Sequence, residues 1–154
     1  MGNKAGGSER IVVTVAPDVA YDVISDVTRT GEWSPECVKV EWITPGERFV
    51  GHNRDANREW KMECVIDEAT RPTAFSFHTE RPGKPGEART RWGYRLAAVD
   101  GGTEITEWYE RVASPPLVAR LVERLAMGGR EKHNAENMRK SLERLKRVVE
   151  SSPA

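Results

Sequence analysis

Cysteine is scarce in this chain. Cys37 and Cys64 are the only two, and they form neither a disulfide framework nor a metal-binding pair. Reduced thiols in a cytoplasmic protein are the plain reading. The three histidines, His52, His78 and His133, lack metal-ligand spacing, so no metal is expected. A glycine-rich phosphate loop and a nucleophile elbow are both missing, and no cofactor is expected. No apolar run is long enough to cross a bilayer, and no secretory hydrophobic region precedes the first strand. Neither sign of charge is in excess: 24 Lys and Arg balance 24 Asp and Glu. That balance gives no pull toward nucleic acid or an anionic membrane. Between Arg130 and Glu150 seven basic residues stand against four Glu, which reads as a solvated helix face.

Tryptophan, in contrast, is plentiful. Five in 154 residues require a thick core or an aromatic-lined pocket. The composition, 38% hydrophobic and 31% charged, is that of a globular chain long enough for one domain and too short for two.

The longest helical pattern is C-terminal, from Pro115 to Glu150. Prolines suit its first turn. Leu117, Leu121 and Leu125 recur every four residues, and Met138, Leu142, Leu145 and Val149 continue the stripe beyond Gly128-Gly129. Before it, the chain alternates as strands do. Strands are predicted at Glu9–Val15, Cys37–Ile43, Phe49–Ala56, Glu59–Ala69, Ala74–Glu80, Ala88–Val99 and Gly102–Val112. Two short helical pieces, Val19–Asp26 and Asp26–Gly31, separate the first strand from the second. Pro17 and Asp18 favour the first helical turn. Asp100-Gly101-Gly102 is the strongest hairpin signal. Short connections from Cys37 onward predict an antiparallel meander.

The segment Val27-Thr28-Arg29-Thr30-Gly31-Glu32-Trp33-Ser34-Pro35-Glu36, together with Gly51-His52-Asn53-Arg54 and the strand of Trp60, carries a resemblance. From about Glu9 to Glu150 the chain resembles the START-like, Bet v 1-like (SRPBCC) helix-grip superfamily. More closely, it resembles polyketide cyclase/dehydrase-type proteins of actinobacteria. The fold expected is α+β: a curved antiparallel seven-stranded sheet wrapped around the long C-terminal helix, with two short helices after the first strand. Residues 9–150 would form the single domain, with tails at 1–8 and 151–154.

The resemblance implies an apolar cavity between sheet and helix. It would bind or carry a hydrophobic small molecule such as a lipid, polyketide or aromatic compound. Trp33, Trp42, Trp60, Trp92 and Trp108 are then candidate walls. Phe75, Phe77 and Tyr94 add aromatic surface, and Asn53 and Met62 join them from the third and fourth strands. Leu121, Leu125 and Met138 would face the cavity from the helix. The loops around Trp33 and at Arg81–Gly86 would gate access, and Gly128-Gly129 would let the helix bend. Each tryptophan has an alternative role as plain core.

The alternative is a cyclase or dehydratase that uses a cavity His or Glu as general base. His78 and Glu110 are the base candidates, and Arg54 or Arg95 would stabilise an enolate. Glu110 shares a strand face with Trp108 and would be a buried carboxylate partnered by Arg91 or Arg95. Arg54 could instead pair with Glu59 or Glu63 across a hairpin. A third reading, an interaction module or homodimer using the long helix or a strand edge, stays open.

Overall fold

The computed structural model describes residues 6–112 and 128–151. Seven strands form one antiparallel sheet in the order β1-β7-β6-β5-β4-β3-β2. They are β1 (Gly6–Val13), β2 (Cys37–Thr44), β3 (Arg48–Asp55), β4 (Arg58–Thr70), β5 (Ala74–Glu80), β6 (Ala88–Val99) and β7 (Gly102–Arg111). From β2 to β7 each strand pairs with the next, the meander that short turns impose. Only β1 is non-sequential, closing the sheet against β7. It starts at Gly6 rather than Glu9 because its backbone keeps pairing with β7 out to Gly6 opposite Glu110.

Helix α1 (Pro17–Ser25) begins as its sequence suggests, with Pro17 in the first turn beside Asp18. Ala16 is extended and offers no side-chain cap; its carbonyl instead accepts from Val19 N at 3.1 Å. A 3-10 turn (Val27–Glu32) follows, and the Asp26 carboxylate accepts from Thr28 N at its start. This turn lies against β2 so closely that a Cβ on Gly31 would stand 2.7 Å from the Val38 carbonyl oxygen. Only glycine permits that approach.

Helix α2 (Gly128–Ser151) crosses the inner face of the sheet. The predicted stripe of Met138, Leu142, Leu145 and Val149 is buried throughout. The earlier part of the predicted helix, from Pro115 with Leu117, Leu121 and Leu125, lies outside the described residues. At its other end α2 ties to β1: Lys146 Nζ donates to Val12 O at 2.9 Å and Thr14 N donates to Glu150 Oε1 at 3.0 Å. The architecture is the helix-grip fold expected.

The inner face of the sheet is divided. Toward the C-terminal end of α2 it is packed solid, with Leu142, Leu145 and Val149 among Val13, Ile24, Leu96 and Ile105. Each buried aliphatic side chain there contributes roughly 1.5–3 kcal/mol through lost water contact. Toward the N-terminal end of α2, from Asn134 to Ser141, the space between helix and sheet is hollow.

Candidate functional site

The hollow is a cavity of about 940 Å³. Strands β2 to β7 supply one wall and α2 the other. Asn134, Asn137, Met138 and Ser141 all face it, a spacing of three, one and three that lies along one side of a helix. From the sheet, Phe49, Met62, Phe77 and Trp92 give it apolar surface. Phe49 and Phe77 meet edge to face at 5.2 Å, and Trp92 lies against Tyr109 at 5.1 Å. Such contacts hold the rings in fixed orientations.

Seven of the candidate wall residues do line the space: Asn53, Trp60, Met62, Phe77, Trp92, Tyr94 and Met138. Four others do not. Trp33 is 1% exposed and sits in the core behind Tyr94. Phe75 packs edge to face on Tyr21 of α1, in the solid half of the fold. Trp42 is half-buried against Phe49, outside the cavity wall. Trp108 points to the opposite face of the sheet. Its ring fills the place where Gly93 lacks a side chain: a Cβ there would run into the Trp108 ring. Arg95 covers the same ring at 5.7 Å. Leu121 and Leu125 lie outside the described residues.

The three catalytic candidates also fall outside the cavity. Arg54 donates to Glu59, its cross-strand neighbour, at 3.0 Å, and both are largely exposed. Glu110 lies opposite Arg91 on the outer face and is only half-buried. His78 is also on the outer face, between Asp67 at 2.8 Å and Glu80 at 3.2 Å. Strand alternation is the reason in each case, since the neighbour on either side takes the inner face.

The buried carboxylate of β7 is Glu107, which sequence reasoning passed over. Thr103, Ile105, Glu107 and Tyr109 all point inward and are buried. The signal was available: Glu107 stands between two apolar residues at strand spacing, Ile105 and Tyr109. Trp108 drew the assignment to the other face. Glu107 lines the cavity at a buried end, closed off with Tyr94 and Ser141, and accepts from the Tyr94 hydroxyl through Oε1 at 3.4 Å. Its second oxygen, Oε2, is buried without a partner. Burial pushes the carboxyl up to about 8, although the Ser141 and Tyr94 hydroxyls pull the other way. At neutral pH the group is mostly protonated and can donate a hydrogen bond. Burial, then the neighbouring Glu107, raises the Tyr94 phenol well above its ordinary value, so it too stays protonated.

Two other clusters frame the cavity. At its rim, Glu36 Oε1 accepts from Asn137 Nδ2 at 3.1 Å and lies 3.3 Å from His133 Nε2, joining α2 to the loop before β2. Glu36, Asp55 and His133 bring three potential ligand atoms within 4.8 Å of one another, short of the four a closed zinc site uses. Across the sheet, Glu80 holds the loop to β6 by accepting from Gly86 N at 2.8 Å. Burial raises the Glu80 carboxyl, but the bonds from Gly86 and His78 and the charge of Arg48 outweigh it and leave it below the usual range. Gly86, Glu87 and Ala88 border the cavity, so Glu80 fixes part of its rim. Glu80→Ala should cost about 1–3 kcal/mol by removing the carboxylate to which Gly86 N, His78 and Arg48 bond. Hydrogen exchange at Gly86 should quicken; unchanged protection there would contradict the anchor.

Cys37 and Cys64 both line the cavity. Burial pushes the Cys37 thiol up to about 11 and raises Cys64 further, which makes both poor nucleophiles.

A curved antiparallel sheet gripping a C-terminal helix over an aromatic-walled cavity defines a helix-grip protein. The chain belongs to the polyketide cyclase / dehydrase and lipid transport family, whose model matches residues 5–150. Solved structures share the fold at low identity. The polyketide-cyclase-like protein Cgl2372 from Corynebacterium glutamicum is 23% identical with a TM-score of 0.63, over 97% of this chain and 94% of that one. The Zhui aromatase/cyclase from Streptomyces sp. R1128 is 15% identical with a TM-score of 0.64, over 97% and 98%. The di-domain aromatase/cyclase StfQ of the steffimycin biosynthetic pathway is 12% identical with a TM-score of 0.71; the match spans 96% of this chain and 51% of that larger protein. Among curated protein sequences none matches the chain.

Proposed function

We propose that the chain binds and carries a hydrophobic small molecule, preferably one with rings, in the cavity between sheet and α2. The observation that carries this is the space itself: about 940 Å³, walled by Phe49, Trp60, Phe77 and Trp92. Cavities of this size suit small ligands, and apolar walls supply affinity by removing ligand surface from water. Family membership supports the same reading. Trp92 offers the test because it lines the cavity without being fully buried. Trp92→Ala should weaken binding of a neutral fluorescent probe such as Nile red about tenfold, the loss of one aromatic contact. Native mass spectrometry of gently purified protein should show a retained ligand. A probe that binds neither form would sink the proposal.

A second reading, a cyclase or dehydratase, is favoured by one observation. Glu107 places an acid–base group inside the cavity, where His78, Glu110 and Arg54 are absent. As an acid it could protonate a departing hydroxyl; its ionised fraction could remove a proton between two carbonyls. Turnover of a poly-β-ketone model compound that disappears in Glu107→Gln would select this reading over carriage alone.

A further inference from the structure

Resting on the binding reading, we infer that the closed end of the cavity selects an uncharged oxygen group, a hydroxyl or ketone on an otherwise apolar molecule, and rejects a carboxylate. Three side chains from three elements make this end: Glu107 from β7, Tyr94 from β6 and Ser141 from α2. All three are at least nine-tenths buried. Glu107 Oε2 has no hydrogen-bond partner, an arrangement that costs stability unless a ligand group meets it. The Trp33 indole N–H lies beside the Tyr94 hydroxyl and helps to hold it from the core side.

No cation shares this end among the described residues. The basic side chains that line the cavity, Arg89 and Arg111, belong further along their strands, by the Thr90–Arg111 pair rather than the Tyr94–Glu107 pair. Arg111 is four residues along β7 from Glu107, about 13 Å at strand rise. Arg89 is five residues along β6 from Tyr94, about 17 Å. A carboxylate beside Glu107 would therefore be buried without a counter-ion, at a cost of several kcal/mol. A hydroxyl or ketone carries no such penalty. It can accept from the protonated carboxyl or the Ser141 hydroxyl, and a hydroxyl can also donate to an oxygen of Glu107.

Naphthalene, 2-naphthol, 2-acetonaphthone and 2-naphthoate share one ring system and differ in the group that would reach Glu107. Binding of each at about pH 7 to the full chain can be read by quenching of tryptophan fluorescence. Naphthol and the ketone should bind at least about tenfold tighter than naphthalene, the worth of one good hydrogen bond in a dry site. Naphthoate should bind more weakly than naphthalene. In Glu107→Leu, with Ser141→Ala as a milder second variant, the gain from the oxygen group should shrink toward onefold. Circular dichroism would confirm that each variant is folded. Naphthoate binding as tightly as naphthol, or a preference untouched by both folded variants, overturns the inference while leaving the cavity a binding site. Failure of all four compounds to bind overturns the binding reading itself.

Discussion

Stability should fall as pH rises from about 5 to about 8, and Glu107→Gln should remove most of that slope. The ordinary value of this carboxyl is 4.5, and burial moves it to about 8 in the folded chain. Between those values the folded protein holds a proton that the unfolded chain releases. The stabilising contribution is therefore fully present below about pH 4.5, declines through the interval and is gone above about pH 8. The interval corresponds to roughly 4–5 kcal/mol at most. The carboxyls held below their ordinary value behave oppositely. Asp22 is lowered chiefly by its bond from Arg71, and Glu32 by its bond from Arg29. They lose their contributions only as pH falls into the acid range, so they leave the slope above pH 5 untouched. Gln keeps the shape and has no proton to lose. At pH 9 the variant should be more stable than the parent, and at pH 5 equal to it or slightly weaker. Urea melts of both proteins at pH 5, 7 and 9 decide the matter. Parallel profiles would mean that Glu107 does not hold its proton in the folded state.

Leu145→Ala should cost about 2–5 kcal/mol, the range for deleting a fully buried leucine from a packed core. Leu145 has no exposed surface and sits where α2 meets the solid half of the sheet. The hollow begins at Ser141, one helical turn earlier. The loss should therefore appear in thermal or urea denaturation while probe affinity in the folded variant stays within about twofold, because Leu145 itself does not line the cavity. Trp92→Ala should show the reverse, a large loss of affinity with a smaller loss of stability. Equal effects of the two changes on affinity would mean that helix packing and cavity shape are one unit.

The division of α2 into a packing half and a cavity half also explains which side chains the sequence placed correctly. Periods of two and 3.6 identify faces that are uniformly apolar. Met138, Leu142, Leu145 and Val149 were legible for that reason. The limits of β5 and β6 match prediction to the residue, since proline and glycine bound both. Where both faces of a strand carry large residues, periodicity cannot choose between them. On β7, Trp108 and Glu110 compete with Ile105, Glu107 and Tyr109. Only the missing side chain at Gly93 on the neighbouring strand makes room for Trp108 outside. On β2, a register shift between Cys37 and Lys39 turns Val38 outward, 51% exposed, and leaves Cys37 on the cavity wall. A bulge depends on pairing with another strand, so it leaves no local mark.

By itself the sequence determined the element order, the antiparallel meander, the strand turns and the apolar stripe of the last helix. These follow from local rules: turn chemistry, side-chain period and short connections. The tertiary structure decided that the tryptophans divide between core, cavity and outer face rather than sharing one pocket. It also decided that the acid inside is Glu107, with Tyr94 and Ser141 beside it. Burial depends on what a distant segment covers. Ser141, on the last helix, comes more than thirty residues after Glu107, and no pattern within either segment marks the meeting.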